Sequence, residues 1–461
     1  MRIICFILAV SAGLFARCQK ESPKIIIGIV VDQMCYDYLY RFEKNYSEDG
    51  FKKLMNEGSH LKNMHFNYIP TYTGPGHASI YTGTTPSSHG IIANDWLERS
   101  LNQSVNCVGD NSVKGIESSP TYGSSSPKRL NTNTVTDLLK MSNPESKVIS
   151  MSIKDRGAIL PGGHKSDGTY WFDYGKGTFI TSSYYKTELP KWLQDFNQKN
   201  NATYYANVWT PLLEEDAYSV LDDSPYERIL GGKTTPTFPY DIPSLCVTNS
   251  SLQPFTMSPY ANTMLTDLAL SAIKHENLGQ DEYPDMICIS YSSPDIAGHA
   301  FGPDSKEIED MYIRLDIDLA RFLKSLEDSF GSEGFTLFLT ADHGVVTVPQ
   351  KLVDEGLPGG YVFVDEIINK LRASCESRFG IDFIMGQDNL NIYLDYDLLE
   401  NSKDSIDINQ VLTLLEKEIS GIEGVKQTAR GSELIKRIKS EDHLIQMLRE
   451  GFDPKRSGDL L

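Results

Sequence analysis

Positive charge is scarce in this sequence: Lys and Arg number 43 against 62 Asp and Glu, for a net charge of -19. A protein whose main partner is a nucleic-acid backbone usually carries a basic face, so the balance argues against that class. Small phosphate esters stay open, because a few local cations or metal ions override the overall field. Cysteine is sparse too, with seven in all and no CxxC pair. Cys5 and Cys18 fall in or beside an N-terminal apolar segment. The rest (Cys35, Cys107, Cys246, Cys288 and Cys375) form an odd set whose pairing cannot be read from spacing. Cys288, inside an apolar run, is expected to be a buried core thiol. Beyond the N-terminus no apolar run is long enough for a membrane helix, and there is no internal repeat or low-complexity tract.

The N-terminus itself has the form of an export signal. Arg2 precedes the apolar run Ile3 to Val10, and small residues follow (Ser11, Ala12, Gly13). Residues 1–22 are therefore expected to direct the chain to the periplasm or beyond. Leu14-Phe15-Ala16-Arg17-Cys18 is a degenerate lipoprotein box, so a lipid anchor at Cys18 and plain cleavage are open alternatives.

The remaining chain, 23–461, is long enough for one large domain with insertions or for two domains. Ile25 to Val31 is a continuous β-branched run, as in a buried parallel strand, and it ends at Asp32. Lys147 to Ile153 runs into Lys154 and Arg156, Met286 to Tyr291 is followed by Asp295, and Phe335 to Thr340 by Asp342 and His343. Four predicted strands thus deliver charged or ligand-type side chains at their C-terminal ends, the edge where open α/β sheets bind ligands. Between them, Ile308, Met311, Tyr312, Leu315, Leu319, Phe322, Leu323 and Leu326 recur at helical spacing, and Met264 to Ile273 has a similar pattern. The fold expected is α/β, a mostly parallel central sheet with helices on both faces. The stretches 161–259 and 349–431 break the rhythm and are expected to be insertions or cap elements over the sheet edge.

Asp32, Asp295, His299, Asp342 and His343 mix carboxylates with imidazoles, a donor set suited to zinc. Asp295 and His299 are expected in a Pro/Gly-containing loop, and Asp342-His343 on a strand-to-loop turn eased by Gly344. Around Thr73, the run Thr73-Gly74-Pro75-Gly76 predicts a tight turn into a helix, whose free backbone N–H groups would favour an anion. A threonine there is either an N-cap or, with a metal to remove its proton, a nucleophile. His77, His89 and His164 are not expected to bind metal, and His77 and His89 are expected to make structural hydrogen bonds.

In this order, Val30-Val31-Asp32-Gln33-Met34, the Thr73 segment ending Ala78-Ser79-Ile80-Tyr81-Thr82-Gly83, Asn94-Asp95-Trp96, the Asp295/His299 segment and Ala341-Asp342-His343-Gly344 resemble the alkaline phosphatase superfamily. The resemblance is to its nucleotide pyrophosphatase/phosphodiesterase branch, and within that to the phosphate-irrepressible, PafA-like alkaline phosphatases. It implies two zinc ions, one held by Asp32, Thr73, Asp342 and His343, the other by Asp295 and His299. It further implies Thr73 as nucleophile through a phosphothreonine, and Asn94 as a donor to a phosphate oxygen. Lys154 and Arg156, expected on one side of an extended segment, resemble the Lys-x-Arg pair of the monoesterases; the related diesterases lack it. The implied substrate is a small phosphate monoester and the expected state a monomer.

The resemblance also implies a third ligand to the second zinc, a histidine in a His-Gly-Ser-type motif, but no histidine follows His443. The expectation is thus that the second site is incomplete, through a truncated or frameshifted reading or a natural short form. The alternatives in function are a phosphodiesterase or nucleotide pyrophosphatase, and an inactive zinc- or phosphate-binding form. The sulfatase setting matches Thr73 to His77 at neither its first nor its last position.

Overall fold

The computed structural model describes residues 22–402, 406–436 and 440–461; the expected signal segment with Cys5 and Cys18 lies outside them, except for Ser22. Seven strands make the main sheet: β1 (Ile25–Val31), β2 (Gly115–Ile116), β3 (Val148–Ser152), β4 (Gly168–Asp173), β5 (Thr178–Ser182), β6 (Asp285–Tyr291) and β7 (Phe335–Thr340). Their spatial order is β7-β1-β6-β3-β4-β5-β2. The first five in that order pair in parallel, and the remaining two join antiparallel.

Register decides where the chemistry goes. Ile25 lies opposite both Asp285 and Phe335, Val31 opposite Tyr291, and Ser152 opposite Ser290. The central strands therefore end together, and the polar residues just beyond their ends (Asp32, Lys154, Asp295, Asp342) emerge at one edge. The four strands predicted from the apolar runs are all present, within a residue or so at each end.

β-Branched residues suit these strands because they are buried on both faces. Ile25, Ile27, Ile29 and Val31 turn toward a cluster that includes Leu268, Leu315, Leu319 and Phe322. The alternate residue Val30 joins Val148, Met286, Cys288 and Tyr81 on the other face. Each such side chain contributes roughly 1.5–3 kcal/mol when fully buried. The helices behind the first cluster are α3 (Pro259–His275) and α5 (Lys306–Phe330). Helix α5 starts where Ser305 Oγ accepts from the backbone of Ile308, and it ends at the left-handed Gly331. On the other face lie α1 (Thr73–Thr82) and α2 (Asp155–Gly162).

Strands β4 and β5 come from the 161–259 stretch, so its first part extends the sheet and is not a cap. The apolar runs there are too short and aromatic-rich to stand out as strands. The 349–431 stretch has its own small core, in which Leu371, Cys375, Leu394, Val411 and Leu415 pack between two helices and the hairpin Ile384–Asp388/Asn391–Leu394. Cys288 is buried as expected, and the five cysteines among the described residues are free thiols.

Candidate metal and phosphate site

Helix α1 begins at Thr73. Its N-cap is Tyr72, in extended conformation and without a side-chain cap, so the hydroxyl of Thr73 is not spent on capping. Thr73 is nearly buried, and its helix N-terminus points into the shared sheet edge. The free backbone donors expected there are fewer than the sequence suggests. The N–H of Gly74 donates to Asn94 Oδ1 at 2.7 Å, Pro75 has none, and that of Gly76 donates to Tyr72 O at 2.9 Å. The donor passes to Asn94 instead: with its oxygen held by Gly74, its NH2 group has no protein partner among the described residues and can bind an anion.

Asp32, Asp342 and His343 meet although they lie near opposite ends of the sheet's sequence. One ligand atom from each lies within 4.8 Å of the others. Asp32 Oδ1 and Asp342 Oδ2 are buried without a well-formed hydrogen bond. A buried carboxylate oxygen without a donor is costly, and a cation at this point would relieve two at once. The donor set of two carboxylates and one imidazole fits zinc, and Lys154 Nζ links Asp32 to the Thr73 hydroxyl.

Asp295 and His299 are not in a loop. They lie on α4 (Ser293–Phe301), four residues apart and hence on one face, with His299 Nε2 3.3 Å from Asp295 Oδ1. Ser293-Pro294 reads as a turn in isolation, but proline is well placed in a helix's first turn, and this one starts there. His343 Nε2 lies 3.8 Å from Asp295 Oδ1, so the two ligand groups are adjacent.

Lys154 and Arg156 are likewise not in an extended register. Lys154 is the N-cap of α2 and Arg156 lies in its first turn. Lys154 Nζ is 2.7 Å from Asp32 Oδ2, pairs closely with Asp295 Oδ2, and donates to Thr73 Oγ1 at 3.5 Å. It thereby joins the carboxylates of both ligand groups and the hydroxyl. Arg156 has a buried Nε without a hydrogen bond, and its nearest carboxylate is Asp155 at 3.7 Å. Its guanidinium is thus largely uncommitted and can take an anion.

These charges hold one another's protonation. Burial works against charge on Asp342, yet His343 and His77 beside it keep its carboxyl down at about 2. Burial also opposes charge on His343, but the Asp32 carboxylate, whose Oδ1 lies 3.3 Å from its Nε2, and the charge of Asp342 raise it to about 9. Lys154 is buried too, and Asp32 and Asp295 outweigh that, raising its pKa.

His77 and His89 make the structural hydrogen bonds expected of them. His77 Nδ1 donates to Thr73 O at 2.9 Å, and its Nε2 lies 2.8 Å from Ser290 Oγ; His77 also lies 3.3 Å from Asp342 Oδ2. His89 accepts from the Ile91 N–H and faces Ser79, and His164 pairs with Asp137. Sequence reasoning missed Gln33, which touches both ligand groups; its only signal was its place beside Asp32 at a strand end.

Residues 26–461 match the family model described as Type I phosphodiesterase / nucleotide pyrophosphatase. A Myroides odoratus protein called calcium-transporting ATPase is 39% identical over 459 residues, covering 97% of this chain and 82% of that protein. Alkaline phosphatase PafA of Elizabethkingia meningoseptica is 40% identical over 448 residues, covering 95% and 80%. The crystal structure of wild-type PafA superposes with a TM-score of 0.90 at 38% identity, over 95% of this chain and 84% of that one. Among the described residues no helix is long and apolar enough to cross a membrane.

Proposed function

This chain belongs to the type I phosphodiesterase/nucleotide pyrophosphatase family, in its PafA-like alkaline phosphatase branch, and from that premise we propose how its residues hydrolyse phosphate monoesters. The enzyme is an alkaline phosphatase-type phosphomonoesterase. Thr73 is the nucleophile. Asp32, Asp342 and His343, with Thr73 itself, would hold one zinc, and Asp295 with His299 the other. Bound there, the two ions supply Lewis acidity, lowering the pKa of the Thr73 hydroxyl and of the water used later.

Thr73 Oγ1 gives up its proton to solvent and attacks phosphorus in line, forming a Thr73–O–P bond as the ester P–O bond breaks; the leaving oxygen is protonated from solvent. Water then attacks the phosphothreonine as it loses a proton, the Thr73–O–P bond breaks, Thr73 Oγ1 regains a proton from solvent, and inorganic phosphate leaves. The Asn94 NH2 group donates to a non-bridging oxygen. Lys154 and Arg156 neutralise the extra negative charge that distinguishes a monoester from a diester, Arg156 with a planar fork. The observation that carries this reading is the reach of Lys154 Nζ to Thr73 Oγ1, with Arg156 uncommitted two residues on in the same first turn. A diester offers one charge fewer for two cations to meet.

The same proposal places the enzyme in the periplasm or outside the cell, as a monomer, with residues 1–22 as its signal. The 161–259 and 349–431 stretches, apart from β4 and β5, would shape the approach to the sheet edge.

The test compares an aryl phosphate monoester with an aryl diester in the parent enzyme and in Lys154→Ala and Arg156→Ala. Each hydrogen bond to a charged group contributes about 1.5–3 kcal/mol, so a loss of roughly 10- to 100-fold in monoester kcat/KM is expected, with diester turnover much less affected. Equal losses on both substrates would favour the diesterase reading.

A further inference from the structure

Gln33 comes directly after Asp32 and, like Lys154, touches both ligand groups, here through its backbone and its amide. Its backbone N–H donates to Asp342 Oδ1 at 3.1 Å, and its side-chain Nε2 donates to Asp295 Oδ1 at 2.8 Å. Those carboxylates belong to different ligand groups, on β7's exit loop and on α4. Gln33 is buried, at 5% exposure, so neither bond is shared with solvent.

Two further features make the arrangement specific. Gln33 has a φ of 65°, left-handed for a residue other than glycine, and this turns its N–H and its side chain toward different ligand segments. Such a conformation persists where the surroundings over-determine it, and it clusters at functional sites. On α4, Gly298 makes room for the amide: a Cβ there would lie 2.0 Å from Gln33 Oε1. Any side chain at 298 would therefore push Gln33 off Asp295.

The consequence lies in how each carboxylate is held. Asp342 Oδ1 accepts from Gln33 N and from His343 N at 2.9 Å, while Asp342 Oδ2 has no hydrogen bond. Asp295 Oδ1 accepts from Gln33, and Asp295 Oδ2 faces the cation of Lys154. In Asp342 the oxygen bound by Gln33 is tied back and the other is presented to the site; in Asp295 the oxygen bound by Gln33 is the one that faces His299 Nε2 at 3.3 Å and His343 Nε2 at 3.8 Å, so the amide holds it toward its co-ligands.

Resting on the functional reading above, we propose that Gln33 is a positioning residue that fixes the two metal ligand groups relative to each other by holding one oxygen of each carboxylate in place. Ligand carboxylates are commonly held by such outer hydrogen bonds, whose loss lowers metal affinity about 10- to 100-fold.

The experiment is a zinc titration against a chromophoric chelator on the parent chain, Gln33→Gly and Gln33→Asn, with circular dichroism to verify folding and steady-state monoester kinetics alongside. Gln33→Gly keeps the backbone N–H and accepts the left-handed φ without strain, so it removes only the amide that reaches Asp295. Asn also tolerates that φ, but it is one methylene short, and it serves if the glycine variant does not fold. Weakening of one zinc site by about 10- to 100-fold is expected, with the other unchanged. The kinetic counterpart is a fall in kcat at near-constant KM, partly reversed by excess zinc. Zinc affinities equal to the parent's in a folded variant would overturn the role of Gln33 alone. A parent chain that binds no zinc would overturn the two-metal reading, and this inference with it.

Discussion

The side-chain oxygen of Asn94 accepts a 2.7 Å hydrogen bond from the backbone N–H of Gly74, the residue after the proposed nucleophile. That bond orients the amide and leaves its NH2 group to donate. Asn94→Asp keeps the acceptor and replaces the donor with a negative charge. Its monoester kcat/KM should fall further than that of Asn94→Ala, which should itself lose roughly 10- to 100-fold. Steady-state kinetics on both variants check the order; an aspartate as active as the alanine would remove Asn94 from phosphate binding.

Thr73→Ala separates catalysis from capping. Because Tyr72 is the N-cap and Thr73 caps nothing, the alanine variant should unfold within about 1 kcal/mol of the parent, less than the loss of a good cap can cost. Turnover should fall by at least roughly 10³-fold, as for loss of a nucleophile. Acid quenching during turnover, followed by mass spectrometry, should find phosphate on Thr73 in the parent and none in the variant.

Gly76→Ala sets two local effects against each other. Alanine is favoured over glycine inside a helix by about 1 kcal/mol. Here, however, a Cβ at 76 would lie 2.3 Å from the carbonyl oxygen of Asp342 and 2.7 Å from its Cβ. Overpacking of that kind costs about 1–3 kcal/mol, and a shift near 1 Å in a positioned group can cost about 100-fold in rate. Sterics should win: monoester kcat/KM drops on the order of 100-fold while far-ultraviolet circular dichroism is unchanged. Full activity would show that the Asp342 loop yields without cost.

Stability should fall on the alkaline side because of two buried carboxyls away from the site. Burial pushes Glu227 up to about 9, helped by the charges of Glu307, Asp222 and Asp223 and opposed by Lys306. Burial pushes Glu307 up to about 8, against its bond from Tyr240 and the charge of Lys306. Both oxygens of Glu227 and one of Glu307 have no hydrogen bond. With folded values above the ordinary 4.5, the folded state holds protons that the unfolded state has released. This stabilisation is complete below about 4.5 and is lost as pH rises through about 8 to 9. Urea unfolding at fixed EDTA should give a steeper alkaline decline in the parent than in Glu227→Gln or Glu307→Gln. Parallel curves would mean that neither carboxyl stays protonated.

Much of the fold was legible because burial on both faces leaves a strong local mark. Ile25–Val31 and Phe335–Thr340 are bounded as the apolar runs predict, and the stripe from Ile308 to Leu326 lies inside the helix Lys306–Phe330. The sheet's far strands were not legible, since Gly168–Asp173 and Thr178–Ser182 are short and embedded in turn-rich sequence. Local conformation after the strands was hidden for a similar reason. Ser293-Pro294 and Lys154-Asp155 carry turn-like residues that also begin helices, and only their packing on the sheet distinguishes the two.

By itself the sequence determined the chemical inventory: which carboxylates, imidazoles, hydroxyl and cations come after which strands, and in what order. Period and residue type are local properties, so a linear reading finds them. Tertiary structure alone decided that Gln33 contacts Asp295 and Asp342, that Asn94 spends its oxygen on Gly74, and that Lys154 stands between two carboxylates and Thr73. Those facts depend on how strands and the segments after them pack, bringing together residues from 20 to 309 positions apart. Distances of 2.7 to 3.5 Å between such residues are set by how the layers pack, which no local pattern records.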